Sequence, residues 1–157
     1  MNRNSPGAIS VRAFGLFFIA AMGVCLVWIL LAPPRASAAT FTVTKTADTN
    51  DGVCGGDCSL REAVIAANSI PGADVITLPS GTYILTISGT NEDNAATGDL
   101  DIKDNLTLSG AGANMTIING GGIDRVFQIS SNVIVSISNL TVSGGVLTGF
   151  GKRLYPK

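Results

Sequence analysis

The chain of 157 residues contains no histidine, three cysteines and only 13% charged residues. It has no G-x-S-x-G elbow, no metal-binding helix motif and no phosphate loop, so none of these common catalytic motifs is present in the sequence. The glycine-rich runs "GAGA" (110–113) and "NGGG" (119–122) follow short β segments and lack the helix that dinucleotide binding requires. Glycine itself is frequent, with 19 residues.

The beginning of the chain has the pattern of an export signal. Two arginines precede an uncharged apolar run over residues 13–32, and two prolines and the small residues "ASAA" follow it. This pattern predicts a Sec-type signal peptide over residues 1–39, cut after Ala38 or Ala39. An uncleaved anchor remains open, because the apolar run is long enough to span a bilayer.

Removal of this leader changes the charge of the chain. Three of the ten basic residues leave with it, so seven basic residues face 11 acidic ones, a net charge of −4. This argues against nucleic acid or an anionic membrane surface as the partner. Contact with a membrane is then expected only through an uncleaved leader, and the location is extracellular or at the cell surface.

The leader also removes Cys25 and leaves Cys54 and Cys58, an even pair in an exported chain. Oxidising surroundings favour a disulfide between them, and Gly55 and Gly56 give the short loop the freedom to close. A metal site is the rival, but two thiols without histidine are too few ligands. We therefore expect a structural disulfide and no metal.

A short helix is predicted over residues 59–68. Ser59 at the N-cap and Glu62 at the third helical position form the S-x-x-E capping box. One face carries the apolar residues, and Arg61 and Glu62 lie outside that face; the apolar residues are Leu60, Ala63, Val64 and Ala67. A helix of two or three turns is unstable alone, so this face must pack on another element.

The rest of the chain has the pattern of short strands. Phe41 and Val43 alternate with threonines, and the turn over 48–52 is expected to be solvated. From residue 74 onward apolar segments alternate with glycine, asparagine, serine and aspartate, which predicts an all-β chain. Sandwich, barrel and solenoid all remain open at this level.

A weak repeat favours the solenoid. "NLTLSG" (105–110) recurs as "NLTVSG" (139–144), and "NMTIING" (114–120) has a similar form. In a coiled parallel β-structure, apolar residues stack inward and glycine or asparagine tolerates the left-handed backbone at the corners. The loop over 88–99 is polar and is expected to project from the body, where loops commonly carry function.

Asp99 and Asp101 are the best candidates for a chemical site, because side chains two residues apart on a strand share one face. With Asp104 nearby, such carboxylates could bind calcium or carbohydrate, or act on a glycosidic bond. We instead expect an ordinary strand with Leu100 and Ile102 inward and the acids in water. No other cofactor and no catalytic residue is predicted.

The segment "CSLREA" (58–63), with "TFTVTKTADTNDG" before it and "VIAANSIPGADVITLPSGTYIL" after it, carries a more specific signal. It resembles the CSLREA-type N-terminal domain of exported bacterial proteins. In those proteins the domain leads into a right-handed parallel β-helix of the polymorphic outer-membrane, adhesin-like sort. The resemblance covers residues 40–145 and implies no catalytic reaction.

The resemblance implies a mainly β chain, a right-handed parallel β-helix with a short N-terminal capping helix. Residues 40–73 would form the cap with its disulfide, 74–145 the β-helix coils and 146–157 a non-repeat tail. We expect a truncated or frame-shifted copy or a fragment, whose uncapped far end is prone to association.

The expected function is that of an exported scaffold, structural or adhesive, with cell-surface glycans or proteins as partners. The alternative is a fragment of a carbohydrate-active β-helix protein, a polysaccharide lyase or hydrolase. The two differ in whether a polysaccharide binds in a way that depends on Asp99 and Asp101.

Overall fold

The computed structural model describes residues 36–90 and 92–147. Most of the predicted leader, the apolar run within it and most of the predicted tail lie outside the described residues. Within the described residues, no helix is both long and apolar enough to cross a bilayer.

The described part of the chain is mainly β, with one short helix. The helix, α1, is Leu60–Ser69. The strands in chain order are β1 Thr40–Thr42, β2 Asp74–Leu78, β3 Gly81–Ile84, β4 Leu100–Ile102, β5 Leu106–Gly110, β6 Thr116–Asn119, β7 Phe127–Ile129, β8 Val135–Ser138 and β9 Thr141–Ser143.

The strands form three sheets, and every neighbouring pair is parallel. The first sheet has the order β1-β2-β5-β8, the second β3-β6-β9 and the third β4-β7. Strands β2, β3 and β4 therefore belong to three different sheets, and β5, β6 and β7 enter the same three in the same order. The mainly β prediction is confirmed, and the described strands do not form antiparallel hairpins.

Apolar side chains stack in register between neighbouring strands. Ile76 pairs with Leu108, and Leu108 pairs with Ile137. Along this column exposure rises from 0% at Ile76 and Leu108 to 40% at Ile137. Ile118 and its partner Val142 show the same trend in the second sheet. The core is therefore densest beside β1 and α1, and apolar surface is exposed at β7, β8 and β9.

Helix α1 forms where its capping residues predict. Ser59 is the N-cap in extended backbone, and the chain leaves the helix at Ile70, which is again extended. The predicted apolar residues are buried and the helix packs against β1, β2 and β4. Arg61 and Glu62, which the pattern places outside the apolar face, are buried as well.

The two most similar sequence units lie in different sheets. "NLTLSG" (105–110) contains β5 of the first sheet, whereas "NLTVSG" (139–144) contains β9 of the second. The partner of β5 is β8, with the sequence "VSIS". An apolar-Thr-apolar segment followed by glycine suits any of the three sheets, so the unit does not set the pairing.

Candidate functional site

The loop before α1 is closed by the predicted disulfide, and it is attached to the segment after β1. Cys54 and Cys58 are bonded, with their Cα atoms 4.5 Å apart. The Cys58 N–H donates to Thr44 Oγ1 at 2.7 Å, and the Thr44 N–H donates to the Cys58 carbonyl at 2.8 Å. Cys58 is fully buried, so this disulfide fixes the position from which α1 starts.

Glu62 completes the predicted capping box and also binds the preceding turn. Its Oε2 accepts the Ser59 N–H at 2.8 Å, and the Ser59 hydroxyl accepts the Glu62 N–H at 3.1 Å. Its Oε1 accepts from the Thr49 hydroxyl and the Asp51 N–H. Burial raises the pKa of Glu62, but these donors and the charge of Lys45 outweigh burial and lower it. Glu62 is buried because the turn wraps over its side of the helix.

Arg61 and Asp48 form a buried, two-bond ion pair. Arg61 Nε donates to Asp48 Oδ1 at 2.7 Å and Nη2 donates to Oδ2 at 3.1 Å. Both side chains are almost fully inaccessible to solvent. Arg61 is therefore held in a structural ion pair inside the protein. The expectation of a solvated turn is wrong for Asp48, whose carboxylate lies inside the protein.

The remaining hydrogen bonds of this ion pair are made with backbone groups next to the edge strands β3 and β4. Asp48 Oδ2 accepts the N–H groups of Thr86 and Ile87 at 2.7 and 3.0 Å, just after β3. Arg61 donates to the carbonyls of Ala95 and Gly98, both at 2.9 Å, just before β4. A carboxylate thus satisfies backbone donors, and a guanidinium satisfies backbone acceptors.

The pKa of Asp48 reflects this arrangement. Burial acts to raise it, but the hydrogen bond from Arg61, the two backbone N–H groups and the Arg61 charge together lower the pKa below its ordinary value. The ionised carboxylate is therefore the form that the fold stabilises.

Asn68 binds the free edge of β4 as a neighbouring strand would. Its Nδ2 donates to the Asp101 carbonyl at 2.7 Å, and its Oδ1 accepts the Lys103 N–H at 2.8 Å. A parallel neighbour makes the same two bonds, to the carbonyl of one residue and the N–H two residues later. One side-chain amide thus replaces one peptide group of the strand that β4 lacks on this side.

We call Asp48, Arg61 and Asn68 the edge-closing side chains. They come from the turn after β1 and from the two ends of α1, and they bond to chain segments at the outer edges of the second and third sheets. Buried backbone groups without partners are costly, so Arg61 removes a penalty at the buried carbonyls of Ala95 and Gly98, while Asp48 and Asn68 bond to backbone groups after β3 and at the edge of β4.

The prediction that the loop over 88–99 projects from the body is wrong. The loop folds onto the body. Ala95 is fully buried, and its N–H donates to Asp101 Oδ2 at 2.8 Å. The Glu92 carboxylate accepts the N–H groups of Asn94 and Thr97 and so holds the loop in shape. Because Arg61 binds its carbonyls, the loop covers the helix rather than presenting a free surface.

Asp99 and Asp101 are buried, which corrects the expectation that they lie in water. They are 3% and 1% exposed, because the folded loop and Arg125 cover their side of β4. Asp99 Oδ2 lies 2.9 Å from Arg125 Nε in an ion pair that is not aligned as a hydrogen bond. Leu100 is inward, as predicted.

Both buried acids have raised pKa values. Burial raises the pKa of Asp99, and Asp124 adds to the rise, while Arg125 opposes it. Burial also raises the pKa of Asp101, and the charges of Asp99, Glu92 and Asp93 add to the rise. The hydrogen bond from the Ala95 N–H acts to lower this pKa. Acids with shifted pKa values are common in active sites. A glycosidic bond must reach the carboxyl group that acts on it, however, and the carboxyl groups of Asp99 and Asp101 are inaccessible.

The structure does not assemble a calcium or cofactor site from the three predicted carboxylates. Asp104 bonds elsewhere, to the N–H groups of Gly72 and Asn105. Within residues 36–90 and 92–147 no group of three or more histidine, cysteine or acidic side chains is arranged to hold a metal ion.

Sequence reasoning missed Asp48 and Asn68. An aspartate in a polar turn and an asparagine at the end of a helix have common local explanations, so neither signals a long-range contact. The only sequence signal for Arg61 is its place inside the "CSLREA" segment.

No family model matches this chain, and no curated protein or solved structure matches it either. The CSLREA-type resemblance of residues 58–63 stays a prediction. The geometry of the edge-closing side chains is therefore what supports a function.

Replacing Asn68 tests whether a side chain closes the edge of β4. We expect Asn68→Ala to lower the free energy of unfolding by about 1–3 kcal/mol, because the Asp101 carbonyl and the Lys103 N–H lose their partner. The matched control is Ser69→Ala. It removes a hydroxyl that donates a hydrogen bond to the Ile65 carbonyl of the same helix. Urea unfolding measures both, and equal stabilities of the two variants would contradict this role.

The two buried acids of opposite pKa shift should respond oppositely to pH. Asp48 has a lowered pKa in the fold, so its stabilisation is present above about pH 4 and is lost as the pH falls through the folded pKa. Asp48→Asn should cost about 3 kcal/mol or more at pH 7, because it breaks a buried pair, and less at low pH.

Asp101 has a raised pKa, so its favourable contribution is present below about pH 4 and is lost as the pH rises through the folded pKa. The stability of Asp101→Asn relative to the unmodified protein should therefore improve as the pH rises from 4 to 7. Urea unfolding from well below pH 4 up to pH 7 checks both variants. Parallel pH trends for the two would show that the charges are not placed as described.

Proposed function

We propose that this chain forms the capped start of an exported, right-handed parallel β-helix that serves as a structural or adhesive scaffold. The observation that carries the proposal is that side chains of the preceding segment bond to the backbone between β3 and β4 and to the outer edge of β4. A stacked parallel coil needs its first edges covered, because open edges recruit other strands.

The sheet order supports the β-helix. Each strand from β5 onward pairs with the strand one cycle earlier, and the inward residues Ile76, Leu108 and Ile137 form one column. Connections between parallel strands of one sheet are right-handed in nearly all proteins, which supports that hand here. Helix α1 and β1 lie beside the first cycle, where a cap belongs.

Three features support export. A disulfide persists in oxidising compartments, and Cys54–Cys58 is formed in the fold. The pattern of residues 1–39 is that of a Sec-type leader. The "CSLREA" segment supports the same location, since the proteins that it resembles are exported.

Surface glycans or proteins are the partners that fit this proposal. Exposed apolar residues follow the free edges of the last strands, among them Ile129, Ile134, Ile137 and Val142. In a β-helix these are the positions on which a further coil stacks. The buried state of Asp99 and Asp101 favours a scaffold over the carbohydrate-active alternative.

The test of the proposal is expression of the full chain with its leader in a bacterial host, followed by fractionation and thiol counting. We expect the product outside the cytoplasm with no free thiol, and with two thiols after reduction. A charged residue in the apolar run, Leu26→Arg, is the control and should retain the protein inside. A native-leader product that stays in the cytoplasm with three free thiols would overturn the proposal.

The exported product also decides between the scaffold and the carbohydrate-active alternative. On a polysaccharide panel, a scaffold shows no release of reducing ends and no binding that depends on the buried acids. Binding or turnover that disappears in both Asp99→Asn and Asp101→Asn, with folding intact, would support the alternative.

A further inference from the structure

Asp74, the first residue of β2, is a buried carboxylate with an incomplete set of partners. It is 0% exposed. Its Oδ1 accepts the Ala39 N–H at 2.7 Å, while its Oδ2 is buried and accepts no hydrogen bond. Among the described residues, the ion pairs do not include Asp74. A buried carboxylate is stable only when it is paired with a cation or fully hydrogen-bonded.

The nitrogen that faces this carboxylate belongs to the predicted cleavage region. Ala39 extends β1 along β2, since its carbonyl accepts the Val75 N–H at 2.9 Å. Residues 36–38 before it are exposed, and their sequence "ASA" has the small residues that a signal peptidase requires one and three positions before the cut. Cleavage after Ala38 would make the Ala39 nitrogen the new chain terminus.

We propose that the chain is cut between Ala38 and Ala39, and that the freed α-ammonium of Ala39 becomes the buried ion-pair partner of Asp74. The inference rests on the proposed export. Hydrolysis breaks the Ala38 C–N bond and adds one water: its oxygen completes the new carboxylate of Ala38 in the leader, and its two protons convert the Ala39 N–H into an ammonium group. One amide N–H is thereby replaced by three ammonium donors, enough to serve both oxygens of Asp74.

This geometry distinguishes the two cuts that the sequence leaves open. A cut after Ala39 would remove the donor at 2.7 Å and leave Asp74 without a partner. Both cuts give up the Ser37 N–H bond to the Pro71 carbonyl, so that bond does not distinguish them. A cut after Ala38 keeps the Ala39 donor and gives it a charge, and charge-assisted hydrogen bonds are stronger than neutral ones.

The charged groups near this terminus are few. Asp74 lies on β2, and Asp104, after β4, accepts the N–H of Gly72. The last turn of α1 carries no basic residue, and Lys103 Nζ binds Asn94 instead. The pair that forms is therefore between the new terminus and Asp74.

The first experiment reads the N-terminus of the exported full chain by intact mass and sequential degradation. We expect a mature protein that begins at Ala39. An exported, cleaved product that begins at Thr40 or at another residue would overturn this inference and leave the proposed export standing. A product that is neither exported nor cleaved would overturn both.

The second experiment titrates the α-amine of the mature protein, labelled by reductive ¹³C-methylation and followed by NMR. We expect its pKa to rise clearly above the unperturbed range of about 7.7–8.0, because Asp74 favours the charged form. An unshifted value would contradict the pair. This measurement needs no variant, so it decides the question even if Asp74→Asn does not fold.

Variants then identify the partner of the amine. Asp74→Asn should return the amine to the unperturbed titration and speed its acylation at pH 8 several-fold, since a lower pKa leaves more of the amine in the reactive neutral form. Asp104→Asn is the matched control and should leave both readouts unchanged. Equal effects of the two variants would assign the shift to general charge rather than to Asp74.

Discussion

The structure depends on one constraint, which is that the strands at the start of a parallel stack have no neighbour on their outer side. Their backbone N–H and C=O groups need partners wherever water is excluded. Here Asp48 accepts from the backbone after β3, Arg61 donates to the backbone before β4, and Asn68 makes both bonds of a missing peptide group beside β4. Asn68 thus replaces one peptide group of a missing strand, and Asp48 and Arg61 bond to the backbone that connects β3 and β4.

The other features of the first seventy residues position these side chains. The disulfide and the Thr44 bonds fix the start of α1, and Glu62 ties its first turn to the turn that carries Asp48. The buried Arg61–Asp48 pair is tolerable because backbone groups occupy its remaining donors and acceptors, as a desolvated pair requires. A rigid, closed beginning suits the scaffold that we propose.

The sequence predicts the elements better than it predicts their surroundings. The helix, its capping box and the disulfide follow from local rules that act within a few residues. The burial of Arg61 and Glu62 does not, because a helical-face pattern assumes that one side meets solvent, whereas the turn and the loop over 88–99 wrap this helix. The prediction that Asp99 and Asp101 lie in water is wrong for the same reason, since the loop that covers them has a polar sequence typical of exposed segments. The proposed cut after Ala38 depends on the contact between Ala39 and Asp74, which are 35 residues apart, and no local pattern predicts that contact.

Native-state hydrogen exchange at the backbone amides of Thr86 and Lys103 tests the closure of the edges most directly. Both residues are exposed, and their N–H groups are bonded to side chains, to Asp48 and Asn68. The account predicts protection comparable to that of Leu85, whose N–H donates to the Asn119 carbonyl of β6. Exchange of Thr86 and Lys103 at the rate of an unstructured peptide, with Leu85 still protected, would contradict it.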